Sequence, residues 1–262
     1  MQMSEKQSQY LKQFHRRKQL IIGCRIVCIV LFLLLWEVST SAGWINDFIF
    51  SSPSRMCRCM VKTVTGQNLI FHIAVTLLET LFSFLIVTVL SILISMLLWS
   101  FPTVYAVLEP ILVMLNSLPK SALAPVMIVW LGNNIKTVIV TGILLAIFAS
   151  VISLTTGFYK TDEEKIRLMY TLGASRKDIL LKLLLPSSVP LIMSSMKVNI
   201  GLCLVGVIIG EFLAAKAGLG YLIIYSSQVF QMDMVMLSIV ILCAMAILMY
   251  QGITWISNHI RI

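Results

Sequence analysis

The feature that most constrains this chain is a succession of long apolar segments without a polar face. LIIGCRIVCIVLFLLLWEVST, starting at Leu20, is one, and LIFHIAVTLLETLFSFLIVTVLSILISMLLW, starting at Leu69, is another. A helix packed into a soluble core keeps one face for water. A helix that is apolar all round suits the bilayer, which takes roughly 20 residues to cross. Composition agrees: 59% of the 262 residues are hydrophobic and 12% are charged, about half the charged share of a soluble domain. The sequence therefore predicts an all-α polytopic membrane protein.

About six transmembrane helices are expected. A basic segment, residues 1–19, carries Lys6, Lys12, Arg16, Arg17 and Lys18 and precedes the first span. The apolar run exceeds the roughly 7–15 residues of a signal peptide, which favours an uncleaved anchor over cleavage after the TSA of residues 40–42. Residues 46–67 connect to the second span, with a short surface helix expected after Pro53. The SFPT of residues 100–103 reads as a tight turn. The third span, residues 104–132, is interrupted by Pro110, Pro119 and Pro125. Proline removes a backbone donor and kinks a helix, and a carbonyl freed in lipid must find protein or water. This segment, with Ser117 and Pro119 at its middle, is thus expected to face other helices or a passage. Residues 137–157, 191–215 and 234–256 supply the remaining spans, and the loop of residues 216–233 has room for a short helix. Nothing marks a repeat or a second domain, so residues 20–262 read as one membrane domain.

The net charge of +9 does not point to nucleic acid, because the basic residues sit at the ends of apolar segments and not in one patch with interleaved aromatics. With the N-terminus inside, the first five bases share a side with Lys160, Lys165, Arg167, Arg176, Lys177, Lys182 and Arg261. Arg55, Arg58, Lys62, Lys120, Lys136 and Lys216 fall on the other. The excess belongs in the cytoplasm, which puts both termini and residues 158–190 there. Four of the six cysteines lie in apolar runs and behave as small hydrophobes. Cys57 and Cys59 form a lone C-x-C without the second pair that a zinc site needs. His15, His72 and His259 lack metal-ligand spacing, and no hydrolase or metalloprotease motif is present.

Residues 158–190 form a polar island in this apolar chain. Thr161 and Glu164 have capping-box spacing, and Asp162, Glu163 and Glu164 suit the positive end of a helix dipole. Gly173 suits the left-handed position that ends a helix. Ser175 with Asp178 restarts one, and Pro186 is expected to stop it. Two short helices at a Gly-Ala-Ser corner, charged and rigid, suit docking to a soluble partner better than a plain solvated loop does.

The island resembles the cytoplasmic EAA loop of ABC importer permeases, whose pattern is Glu-Ala-Ala, three residues, Gly, nine residues, Ile-x-Leu-Pro. Gly173, Leu185 and Pro186 match it; Leu183 holds the isoleucine place, and Arg167, Leu168 and Met169 stand where the family has Glu-Ala-Ala. LPKSALAPVMIVWLG, TLGASRKDILLKLLLPSSVP and VGVIIGEFLAAKAGLGYLI look like the nitrate/sulfonate/taurine class, over about residues 50–256. The resemblance implies the type I importer fold in a bacterial cytoplasmic (inner) membrane, with residues 158–190 as the coupling-helix loop. It implies contact with an ABC ATPase dimer through Glu163, Glu164, Arg167, Leu168, Tyr170, Thr171, Leu172, Gly173, Ala174, Ser175, Arg176, Leu185 and Pro186. It also implies a second permease copy in a homodimer and a substrate-binding protein or lipoprotein that delivers the solute. The chain lacks a phosphate-binding G-x-x-x-x-G-K-[ST] loop, so ATP and Mg fall to the partner ATPase and no cofactor is assigned to this chain. Sulfonate, taurine and nitrate are the implied solutes, with thiamine-precursor pyrimidines and flavins in related systems.

Asn199, Cys203, Gly206, Gly210 and Ala214 make a small-residue stripe at helical spacing, and Gly206 with Gly210 permits close helix approach. The stripe reads first as packing, and in a permease as pathway too. Glu211 is a carboxylate inside a span, where charge is costly. It is either a gate or pathway group or a structural one, held by Lys216 or by backbone donors of the AGLG of residues 217–220. Glu79 and Glu109 either line water or pair. Two other functions fit less of the sequence: a non-transporting assembly or sensor subunit, and an intramembrane enzyme using Glu211 as acid or base.

Overall fold

The computed structural model describes the backbone of residues 5–66 and 68–260, and side chains from residue 17 onward except residues 18, 22, 26, 65–67 and 260–262. Lys6, Lys12, Arg16, Lys18 and Arg261, on which part of the charge argument rests, have side chains outside the described residues.

Thirteen α-helices and one π-helical turn make up the described chain, without a strand among the described residues. In order they are α1 (Glu5–Ser41), α2 (Asp47–Phe50), α3 (Pro53–Gly66), α4 (Leu69–Ser100), α5 (Pro102–Ser117), α6 (Lys120–Leu131), α7 (Ile135–Tyr159), α8 (Glu163–Thr171), α9 (Arg176–Ile179), the π turn Leu180–Leu184, α10 (Leu185–Ser187), α11 (Val189–Ala214), α12 (Leu219–Gln228) and α13 (Met232–Ile260). Among the described residues five stretches are long and apolar enough to cross a membrane: Gln19–Ser41, Leu69–Ser100, Ile135–Tyr159, Val189–Ala214 and Met232–His259. The helices α5 and α6 make a sixth if taken together, but they meet at 92°. The third span is therefore an elbow. Its break lies at Leu118 and Pro119, while Pro110 and Pro125 stay inside helices. Lys120 fastens the elbow: its Nζ donates to Asn116 Oδ1 at 2.9 Å and to the Leu145 carbonyl of α7 at 3.0 Å.

The core is the trio α4, α7 and α11. Lipid tails are as apolar as leucine, so helices in a bilayer associate through close packing and not through escape from water. The sequence supplies small residues where the trio meets. A Cβ on Gly206 of α11 would sit 2.7 Å from Gly142 Cα of α7, and one on Gly210 would sit 2.8 Å from Val138 Cα. One on Gly142 would sit 2.7 Å from Ser83 Oγ of α4. Phe84, Val87, Ala146, Ile200, Cys203 and Ile253 fill the space beside these crossings. The spanning part of α1 stays peripheral, with Val27, Phe32 and Leu34 exposed, and Glu37 accepts from the Ser54 hydroxyl (2.7 Å) and N–H (3.1 Å) of α3.

Two sets of contacts define the ends of the molecule. At one end the Tyr159 hydroxyl donates to the Leu98 carbonyl at 3.3 Å, and Arg176 Nη2 donates to the Trp99 carbonyl at 3.3 Å. At the other, Asp233 at the start of α13 accepts from Ser51 (2.7 Å) and from Arg55 (3.2 Å), which also reaches Asp47 at 2.8 Å. These carboxylates raise the pKa of Arg55, its hydrogen bond to Asp233 being the largest cause.

Candidate functional site

The polar island is an exposed elbow with a buried root. Asp162 starts α8: its side chain accepts from the Glu164 N–H at 3.0 Å. The expected cap Thr161 instead belongs to the end of α7, where its N–H bonds the Phe158 carbonyl, so the carboxylate one residue closer to the helix takes the capping place. The α8 helix closes at Leu172, and Gly173 turns the chain with φ +80°. Ser175 caps α9 in a capping box with Asp178, as its spacing predicts. Pro186 does not stop the helix. A π turn at Leu180–Leu184 widens the coil just before it, α10 carries it in its first turn, and the break comes at Ser188. A proline lacks the N–H that a regular turn uses, and the wider turn accommodates this without ending the helix.

The tip and the root have opposite character. Leu168, Tyr170 and Leu172 are 59%, 50% and 73% exposed, apolar side chains presented outward. Arg167 pairs within α8 to Glu163 at 3.2 Å, with both side chains open to solvent. The root is dry: Ile179 and Leu184 are fully buried with Leu180, Trp99 and Phe158, and the Arg176 guanidinium lies 5.5 Å from the Trp99 ring centre. Of the residues expected in the coupling contact, those from Glu163 to Arg176 gather on this elbow, while Leu185 and Pro186 lie at its base beyond the π turn.

The expected pathway residues divide into two places. Ser117 and Pro119 are exposed at the α5–α6 elbow. Asn199, Cys203, Gly206, Gly210, Glu211 and Ala214 are all buried inside α11. Asn199 donates to Ser150 at 2.8 Å, and Cys203 packs against its apolar neighbours. Glu211 is the centre of a buried polar cluster. The Thr76 hydroxyl of α4 donates to its Oε1 at 2.6 Å, and the Gly220 N–H donates to its Oε2 at 2.5 Å. Thr76 also accepts from the Leu219 N–H at 2.8 Å, and His72 Nδ1 accepts from the Gly218 N–H at 3.0 Å. A side chain at Gly218, where φ is +112°, would collide with the Glu211 carboxylate, and one at Gly220 would come within 2.8 Å of Oε2. One backbone donor of the AGLG segment, the Gly220 N–H, thus holds Glu211, and Lys216 is not its partner in the ion pairs of the described residues. Glu79, also buried, lies one helical turn beyond Thr76 on α4. Glu109 is exposed and accepts from Tyr105 at 3.1 Å.

Sequence reasoning missed His72, Thr76 and Lys120. The signal for the first two was there: His72, Thr76, Glu79, Thr80 and Ser83 repeat at helical spacing along an otherwise apolar span. At the end remote from the elbow, a cleft of about 950 Å³ opens among Asp47, Arg55, Arg58, Lys62, Gln231 and Asp233.

Comparison with known proteins decides the family. The model of the binding-protein-dependent transport system inner membrane component matches residues 88–261, more than half of the chain. The chain belongs to that family. This permease is similar to a "Probable ABC transporter permease protein" of Haemophilus influenzae, 27% identical over 235 residues that cover 89% of this chain and 95% of that one. It is similar to the formylaminopyrimidine transport permease protein ThiX of Halalkalibacterium halodurans, 28% identical over 73% of this chain and 76% of the other. It is also similar to the taurine transport system permease protein TauC of Escherichia coli, 26% identical over 88% and 86%. The permease is a multi-pass membrane protein with an all-α ABC permease fold, a transport component and not an enzyme. Its family works with an ATPase and a substrate-binding protein.

Proposed function

We propose that this permease is the membrane-spanning subunit of an ATP-driven importer, that residues 158–190 dock into a cytoplasmic ATPase, and that two copies pair around the passage. The observation that carries the reading is the contrast within the island: an outward apolar tip at Leu168, Tyr170 and Leu172 on a root buried against α4 and α7. A monomeric soluble surface has little reason to display such a tip on a rigid base, whereas a docking groove gives it a place to bury. Arg167 meets the ATPase with a positive charge where the family pattern has an acid. Both termini lie with the elbow in the cytoplasm, and ATP and Mg are bound by the ATPase alone.

The solute passes along the outward face of the α5–α6 elbow, near Ser117 and Pro119. The buried residues of α11 serve as the packed hub behind it. The cleft of Arg55, Arg58 and Asp233 receives the substrate-binding protein at the outer face. Relatives named for taurine and for formylaminopyrimidine support a small organic solute, anionic or heteroaromatic.

Co-purification with the co-expressed ATPase tests the docking. Leu172→Asp, at an exposed position, should abolish capture of the ATPase and leave the thermal midpoint of the permease unchanged. Gly173→Val, which strains the turn, should weaken capture as well. Undiminished capture by both variants would end the docking assignment. Substrate-dependent ATP hydrolysis by the reconstituted complex then separates a transporting subunit from an assembly or sensor subunit.

A further inference from the structure

Lys120 is a cation in the middle of the membrane-spanning bundle. Charge counting put it with the bases of the outer side, yet its ammonium rests against the carbonyl of Leu145, ten residues into α7 and fourteen from its end. At a rise of about 1.5 Å per residue that is about 15 Å from one end of the span and about 21 Å from the other. A charged side chain at such a depth faces protein or a water-filled cavity and usually pairs. None of the ion pairs among the described residues includes Lys120. Glu109 on the same elbow is taken by Tyr105, and Glu211 of α11 by Thr76 and the Gly220 N–H. The ammonium carries three donors. Two go to neutral acceptors, Asn116 Oδ1 and the Leu145 carbonyl, and the third has no partner among the described residues. Lys120 also opens α6, at the end of the helix dipole that repels a cation. Fastening the elbow does not call for a charge, because the amide of a glutamine would supply two donors. The chain beside it is open: Ser117, Leu118 and Pro119 are exposed, and Lys120 itself is half-buried.

We propose that Lys120 is the residue that meets the solute's negative charge inside the membrane. Its third N–H is left for the oxyanion of a small organic solute, a sulfonate or a carboxylate, moving past the elbow. The two neutral acceptors hold the ammonium at its post without cancelling its charge, as a paired carboxylate would. An oxyanion gains a charge-assisted hydrogen bond there. A neutral solute of the same size forgoes the charge, and a cationic one is repelled. The same side chain thus fixes the bend and selects the cargo. The inference rests on the route along α5 and α6 given above under the proposed function.

The test uses the full chain in lipid nanodiscs, without native cysteines and with Ser117→Cys at the exposed position three residues before Lys120. Three methanethiosulfonates, bearing a sulfonate, a hydroxyl or a trimethylammonium group, report the charge beside that thiol. A ratio of their rates cancels any change in the thiol's own reactivity. The anionic-to-cationic ratio should fall about 10- to 100-fold in Lys120→Gln, and stay within about threefold of the parent in Lys120→Arg, which keeps the charge. Ethanesulfonate should slow the neutral reagent, whereas the uncharged ethyl methyl sulfone should not. Lys120→Gln should raise the half-protecting concentration of ethanesulfonate about 10- to 100-fold. An unchanged ratio or unchanged protection in Lys120→Gln overturns the proposal and leaves the route in place. An equal fall in Lys120→Arg also overturns it, reducing Lys120 to a fastener. Failure of all three reagents to react would mean a dry elbow and remove route and anion contact together. If ratio and protection behave as described while reconstituted import fails, the importer reading is lost and the anion contact stands.

Discussion

At the scale of single residues the coupling elbow is held by local groups whose charge is measurable. Asp178 accepts from the Ser175 hydroxyl at 2.5 Å and lies 2.6 Å from Lys182 Nζ. The Lys182 contact, then the Ser175 hydrogen bonds, pull its pKa from 3.8 down to about 2. The folded value lies below the unfolded one, so the ionised form supports the elbow above pH 3.8, and the support is lost as the pH falls toward 2. Amide hydrogen exchange across residues 175–182 should therefore stay constant from neutral pH to about 4, after correction for intrinsic rates, and quicken below it. Asp178→Asn should exchange at the quicker corrected rate at neutral pH, and a flat profile for both forms would remove Asp178 from the elbow's support. Such a box was legible in the sequence because all its partners lie within seven residues. Of the partners of Glu211, the Gly220 N–H was legible in the AGLG segment, whereas Thr76, 135 positions away, was not, because nothing local specifies a tertiary hydrogen bond.

At the scale of elements the decisive contacts are the glycine crossings of α7 and α11. Gly206→Leu would drive a side chain into Gly142 Cα and the Thr141 carbonyl, both within 3.0 Å of its Cβ. Overpacking of this sort costs about 1–3 kcal/mol, and the fall in thermal midpoint should be about 2–12 °C. The control Gly201→Leu, on the same helix with open space at its Cβ, should leave the midpoint within about 2 °C of the parent. A change in the control as large as that of Gly206→Leu would show that helix propensity or lipid contact, and not the crossing, sets the effect. The spans themselves were plain from apolar length, and the small-residue stripe from its spacing. The elbow of the third span was only half visible: three prolines announced a break, but Pro110 and Pro125 sit inside helices while Pro119 marks the bend. Proline reveals a missing donor and not whether neighbours absorb it. Pro186 teaches the same lesson, because the π turn that accommodates it is decided by packing around Leu180 and Leu184.

At the scale of the whole molecule the two ends differ in kind. One carries the apolar-tipped elbow, and the other the charged cleft and the α12 turn. The positive-inside argument assigns the first to the cytoplasm. In a variant without native cysteines, Arg176→Cys should react with a membrane-impermeant maleimide only after the cells are opened. A cysteine restored at position 57, exposed on α3, should react in intact cells. Labelling of position 176 from outside would invert the topology and, with it, the direction of every contact proposed for the island.

The hydrogen bonds from Tyr159 to Leu98 and from Arg176 to Trp99 stitch the island to the carbonyl-rich terminus of a neighbouring helix. A tug on the tip cannot be spent by bending a slack tether. It must either tear two bonds and open a dry seam, or drag the feet of α4 and α7 along with it.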